Sequence, residues 1–275
     1  MIGSLFQGQA LHDRKSGMFN FLYQISNIFL FIFLSVTFIS VSIIGVFIIK
    51  RFSAVDLRYR DNSVLGSIGS LIGVIYGVLA GLTALYLINN VSYTTDAVQR
   101  EASAVANIYR DSQWLDEPAK SDIKDAIKKY LNTVINVEWP LMGRGKTLNS
   151  AGNNFINSIA SEVNQYIHTH PAESLVMQDM LAEIKALYDA REQRIHMSFS
   201  SLNSEMWVVI LIGTILTIGI NYLFKMKLKL HLISISAVAL MASSMVFLLL
   251  TLDRPFQGEF VIEPTAFESV LSSIH

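Results

Sequence analysis

Residues 65–88 read LGSIGSLIGVIYGVLAGLTALYLI, a run without Asp, Glu, Lys or Arg. A hydrocarbon core of ~30 Å needs about 20 apolar helical residues, so this stretch reads as a membrane span. Within it Gly69, Gly73, Gly77 and Gly81 recur every fourth residue. That spacing gathers them on one helical face, where missing side chains let another backbone come close. Two roles are open to such a face. It packs against another span or subunit, or it lines a narrow pore in which glycine leaves room for an ion. Ser67 and Ser70, with Ser63 before them, form a polar edge beside the stripe. Tyr76 lies mid-span and needs a hydrogen-bond partner, because an unpaired hydroxyl in hydrocarbon is costly. Asn89 and Asn90 follow at the mouth of the span. All of these are candidates for packing or for pore lining.

Three more runs are long and uncharged enough to cross, at about residues 28–49, 206–224 and 230–252. The whole composition agrees with four spans. Hydrophobic residues make up 52% of the 275-residue chain and charged residues 16%, where a soluble domain carries about 25% charged. The first run begins too far from Met1, and is too long, for a cleaved signal peptide. The expected fold is all-α and polytopic, with four transmembrane helices in two hairpins and a helical domain inserted between spans two and three. The expected parts are an N-terminal segment (1–27), hairpin 1 (28–88), the helical domain (89–205), hairpin 2 (206–252) and a tail packing on that domain (253–275).

The short loops set the expected orientation, since Lys and Arg beside spans are retained inside. The first carries Lys50, Arg51, Arg58 and Arg60, the second Lys225, Lys227 and Lys229. The insert balances 11 Lys and Arg against 15 Asp and Glu. The helical domain and both termini are therefore expected outside, with Arg14 and Lys15 on that side. The insert reads as helical throughout. Its apolar stripes are Val98, Ala102, Val105 and Tyr109; Ile123, Ile127, Tyr130 and Val134, capped by Ser121; Phe155, Ile159, Val163 and Tyr166, ended by Pro171; and Met180, Ile184, Leu187 and Ile195. No Pro or Gly interrupts the last on its way into span three, so continuity with that span is expected.

Chemistry is sparse. There is no cysteine and the formal net charge is -1, which excludes thiolate catalysis, disulfides and a basic nucleic-acid surface. Coupled transport generally needs an ionisable group at depth, and the spans hold no acid. His168 and His170 lack the further ligands of a zinc site. Gly143-Arg144-Gly145-Lys146 lacks the spacing and preceding strand of a phosphate loop. No G-x-S-x-G elbow is present. Neither enzyme activity, nor a cofactor, nor a resident metal is expected.

Gly73-Val74-Ile75-Tyr76-Gly77-Val78-Leu79-Ala80 is followed by Glu101-Ala102-Ser103-Ala104, Tyr109-Arg110 and Glu138-Trp139-Pro140-Leu141-Met142. After the last span comes Leu252-Asp253-Arg254-Pro255-Phe256-Gln257-Gly258. In order and spacing this resembles the bestrophin-like domain family of unknown function, four-span membrane proteins of bacteria and plants. The resemblance runs from the first span to Phe267. It implies a multi-pass protein of the bacterial inner (plasma) membrane. By analogy with true bestrophins it implies a passive oligomeric ion channel, whose partners are its own copies (four or five favoured), the lipid bilayer and inorganic ions of undetermined charge. The competing reading is a membrane-anchored sensor or scaffold whose helical domain binds a partner without transport. Pro140 is expected to end a helix, with Trp139 at the membrane–water boundary or at a bundle base. Arg110 with Asp253, and Glu138 with Arg254, are expected to form an ion-paired outer collar, which either fixes geometry or faces a vestibule. The tail through Phe260, Val261 and Ile262 is expected to fold back on the bundle.

Overall fold

The computed structural model describes residues 26–52, 61–146, 148, 150–170, 174–258 and 261–274. Arg14, Lys15, Arg58, Arg60, Pro171 and Phe260, which figure in the expectations above, lie outside the described residues. The described chain is helical, without a strand. Its elements are α1 (Asn27–Phe52), α2 (Asn62–Ser112), α3 (Ala119–Thr133), a π-helical turn (Val134–Glu138), α4 (Trp139–Gly143), α5 (Ala151–Thr169), α6 (Ser174–Ser198), α7 (Ser204–Tyr222), α8 (Leu228–Leu252) and α9 (Thr265–Ser273). Two compact units divide them. A helical-bundle unit comprises Asn90–Ser200 with Arg254–His275, and a membrane unit comprises Ser201–Asp253 with the described residues up to Asn89.

Four helices, α1, α2, α7 and α8, are long and apolar enough to cross a membrane. Lipid-type packing explains how they meet. Small hydroxyl and methyl groups line the contact of α1 with α8: Ser35, Ser42, Ala239, Ala242 and Ser243 are all buried, and the hydroxyls of Ser35 and Ser243 lie 3.2 Å apart. Phe31 meets Phe247 edge to face at 5.3 Å. Gly45 admits the Tyr222 hydroxyl, which would stand 2.5 Å from a Cβ there. Asn62 fixes the turn after α7, donating from Nδ2 to the Lys225 carbonyl at 2.8 Å and accepting the Lys225 N–H at 2.9 Å. Most other hydroxyls, Thr83, Thr217 and Ser244 among them, return their protons to carbonyls four residues back, as buried helices without water require. The outward faces stay apolar: Phe29, Val74, Ile215 and Met241 are each at least 65% exposed. Only lipid or another protein surface suits such a mantle.

The bundle unit has one core. Val98, Val105 and Ile108 of α2 meet Ile123, Ile127 and Leu131 of α3, Ile156, Ile159 and Val163 of α5, and Met180, Ile184 and Leu187 of α6. Phe256 and Phe267 close that core from the C-terminal segment, each edge-on to Trp139 at 5.4 and 5.6 Å. The Trp139 indole N–H donates to the Ile262 carbonyl at 2.9 Å.

Three local expectations are corrected. Ser121 is not a cap: α3 starts two residues earlier, and the Ser121 hydroxyl donates back to the Pro118 carbonyl at 2.8 Å. Pro140 does not end a helix. It lacks an N–H and would press on the carbonyl of residue 136 in a regular α-helix. The π-turn widens the backbone there, and Pro140 then occupies the first turn of α4. Finally, α6 is not continuous with α7. The helix stops at Ser198 and restarts at Ser204, and the Leu202 N–H in the gap donates to the Asp253 carboxylate.

Candidate functional site: an open glycine face and a buried ion-pair cluster

In the membrane unit, α2 keeps its glycine face free. A Cβ on Gly73, Gly77 or Gly81 would meet nothing within 4 Å, while one on Gly69 would touch Ile220 at 3.5 Å. Ser70 and Asn89 are exposed, Asn90 is half-buried, and the Ser67 hydroxyl is turned onto the Ser63 carbonyl at 3.1 Å. Tyr76 belongs to the opposite task. Its hydroxyl and that of Thr214 lie 2.8 Å apart, and its ring fills the space that any side chain at Gly213 would need. Ala84 and Leu87 complete this contact against Leu202, Ile210 and Leu249. One side of α2 is thus committed to α7 and α8, and the glycine side from Gly73 to Gly81 meets nothing within the described chain.

In the bundle unit, four charges meet with almost no exposure. Arg194 donates from Nε and Nη2 to the two oxygens of Glu101 at 2.6 and 2.9 Å, and from Nη2 to Glu138 at 2.9 Å. Arg191 grips both oxygens of Glu138 at 2.7 Å and places Nε on Asn153 Oδ1 at 2.8 Å. The Tyr130 hydroxyl donates to Glu101. Relative exposure is 0% for Glu101, Glu138 and Arg194 and 2% for Arg191. Gly152 makes this possible, since a Cβ there would stand 2.5 Å from Arg191 Nη2. Arg194 also lies over the rings of Trp139 and Phe267, at 5.4 and 5.9 Å, where guanidinium planes pack favourably.

The electrostatics favour the ionised forms of Glu138 and both arginines. Burial alone would raise the Glu138 pKa, but hydrogen bonds from Arg191 and the charges of Arg194 and Arg191 hold it below the ordinary carboxylate value. Burial would likewise lower Arg194, and the Glu101 carboxylate reverses this and raises it. Tyr130 is pushed well above a free phenol by burial and by the Glu101 charge, so it stays a donor. Two positive and two negative charges cancel, and the fork geometry of each arginine is used. The cluster therefore joins α2, α3, the π-turn, α5 and α6 and leaves no valence for a ligand.

Of the expected collar, Glu138 is bound by Arg191 and Arg194. Arg110 is exposed and lies 3.6 Å from Asp111, while the Asp253 carboxylate serves the Leu202 N–H. His170 is occupied by stacking on Tyr166 at 4.1 Å. Sequence reading passed over Arg191 and Arg194, although a signal was present. Met180, Ile184 and Leu187 continue at steps of four and three to Arg191, Arg194 and Ser198, which puts two arginines where the core stripe demands apolar groups.

These features define a polytopic α-helical membrane protein whose bundle unit is cross-linked by buried charge. The chain belongs to the Bestrophin-like domain family, whose family model matches residues 36–267. No curated protein matches its sequence. Among solved structures it is similar to a bacterial bestrophin homologue from Klebsiella pneumoniae. A form of that homologue with one tryptophan replaced by alanine aligns with TM-score 0.68 at 11% identity, covering 91% of this chain and 97% of that one. The form phased with zinc gives TM-score 0.67 at 10% identity, covering 90% and 97%. At this identity the likeness is one of fold.

Proposed function

We propose that the protein is a passive ion channel formed by a closed ring of identical subunits, four or five in number, with α2 lining the axis. The observation that carries this reading is the glycine face of α2, where Gly73, Gly77 and Gly81 meet nothing within their own described chain. Membership of the Bestrophin-like family and the fold likeness support it. Four uncharged spans are too few to enclose a wet path and shield their own backbones, so a pore needs several copies. Small residues beside hydroxyls suit a narrow lining, because backbone and side-chain oxygens can replace ion hydration. In the same reading the spans form two hairpins in the plasma membrane, with the bundle inserted between spans two and three. We assign no catalytic role. Planar-bilayer recording of the purified protein is the test: discrete single-channel currents are expected. Silent bilayers holding intact oligomer would replace the channel with the scaffold reading, in which the bundle binds a partner and nothing permeates.

A further inference from the structure

We propose that the turn Arg144–Lys146, together with Gln257, forms an anion site for the phosphate class of ligand, either free phosphate or a phospholipid headgroup. The turn follows α4, and Gly145 holds it at φ +64. Its backbone is already satisfied: the N–H groups of Gly145 and Lys146 donate to the carbonyls of Met142 and Leu141, each at 2.9 Å. The backbone is thus fixed without any ligand, and recognition falls to side chains.

Three side-chain donors belong to this turn or abut it. Arg144 and Lys146 are exposed. Neither side chain makes a hydrogen bond or ion pair with the described residues. Gln257 is 6% exposed, and its amide nitrogen is buried without an acceptor among the described residues. That nitrogen lies 2.7 Å from where a Cβ of Gly145 would be, directly against the residue between the two cations. The flanking glycines Gly143 and Gly258 are exposed, and a Cβ on Gly258 would meet nothing within 4 Å, so only the Arg144 and Lys146 side chains need shift for an anion to reach the buried nitrogen.

A buried amide N–H without an acceptor is rare in native proteins and asks for one. All three groups are donors and two are cationic, so the ligand is an anion with several oxygens. Phosphate fits best: its charge approaches that of two cations, its oxygens point in divergent directions, and the guanidinium fork matches them. The site is built within the bundle unit and does not depend on whether the protein conducts.

The test has two arms on the full-length protein. In the first, inorganic phosphate is titrated calorimetrically into protein in a neutral detergent, with chloride at matched ionic strength as control. In the second, protein in phosphatidylcholine nanodiscs containing phosphatidylglycerol is released into native mass spectrometry and its retained lipid identified. Arg144→Ala/Lys146→Ala alters only exposed side chains, and Gln257→Leu removes the buried donor. Each is expected to weaken the responding arm at least tenfold, with an unchanged circular-dichroism melt for the exposed pair. A response to inorganic phosphate assigns a soluble anion, and selective retention of phosphatidylglycerol assigns a headgroup. If neither arm depends on Arg144 and Lys146, the site does not exist.

Discussion

Glu138 has no exposure and yet remains charged, because two guanidiniums share its two oxygens. Folding therefore lowers its pKa. A carboxylate of this kind contributes stability that is complete above the unfolded value, about 4.3, and is lost as pH falls through the lower folded value. Glu138→Gln should cost about 3–5 kcal/mol at neutral pH, since it leaves Arg191 buried without its carboxylate partner. The gap in thermal midpoint between wild type and Glu138→Gln should be widest near pH 7, begin to narrow only below the unfolded value of about 4.3, and close as pH falls through the lower folded value, where wild type loses the same charge. Circular-dichroism melts across that range check it, and a pH-independent gap would mean that Glu138 acts by packing alone. The four-charge cluster was half legible in the sequence. Glu101 and Glu138 stand out in quoted motifs, but nothing local pairs them with residues about 50 or 90 positions away. Arg191 and Arg194 were readable only by refusing to let Ile195 end the α6 stripe.

For α2 the element-scale expectation concerns volume. Gly77→Leu adds a branched side chain to a face that is empty within one chain. If that face meets copies of itself, overpacking costs about 1–3 kcal/mol per contact, and the oligomer should dissociate on native gels or by light scattering. A variant that assembles and conducts like wild type would place the glycines against lipid. The spans themselves were plain in the sequence, because about twenty apolar residues in a row have no rival explanation in water. The α6–α7 break was not. Without Pro or Gly, Ser198-Phe199-Ser200-Ser201-Leu202-Asn203-Ser204 looked continuous. Serine and asparagine compete with the helix through their own hydrogen bonds, and the Ser198 hydroxyl donates to the Ile195 carbonyl at 2.7 Å. The distant Asp253 then holds the gap open, which no local pattern announces.

At the scale of the whole molecule, the proposed orientation rests on seven Lys and Arg in two short loops. Single cysteines can test it in this cysteine-free chain. Asn154 is the better site in the bundle, since Asn153 is bonded to Arg191. With Asn154→Cys an impermeant maleimide should label intact cells, and with Ser53→Cys only opened ones. The reverse pattern would turn the protein over and put the bundle inside. Fold class was legible from composition and spacing alone. Assembly was not, because a chain with an unpartnered face says that something covers it and leaves the occupant to experiment.

The π-turn carries one more consequence, of length and not of chemistry. Tyr130, Val134, Glu138 and Met142 recur every fourth residue, and all four are fully buried. On a straight α-helix such a series wanders about 40° per step, so the last would leave the core. The wider turn at Val134–Glu138 resets the phase, as though the helix held one surplus residue. Deleting exposed Val137 would remove that surplus and let the turn relax to α-helix with Trp139 still facing Phe256 and Phe267, the cost falling on Pro140, whose ring the wider turn accommodates. Adding a residue there has no such outlet: it would rotate Trp139, Pro140 and Met142 by about 100° and turn Trp139 away from both rings. Along this rod the chain should accept one residue fewer sooner than one more.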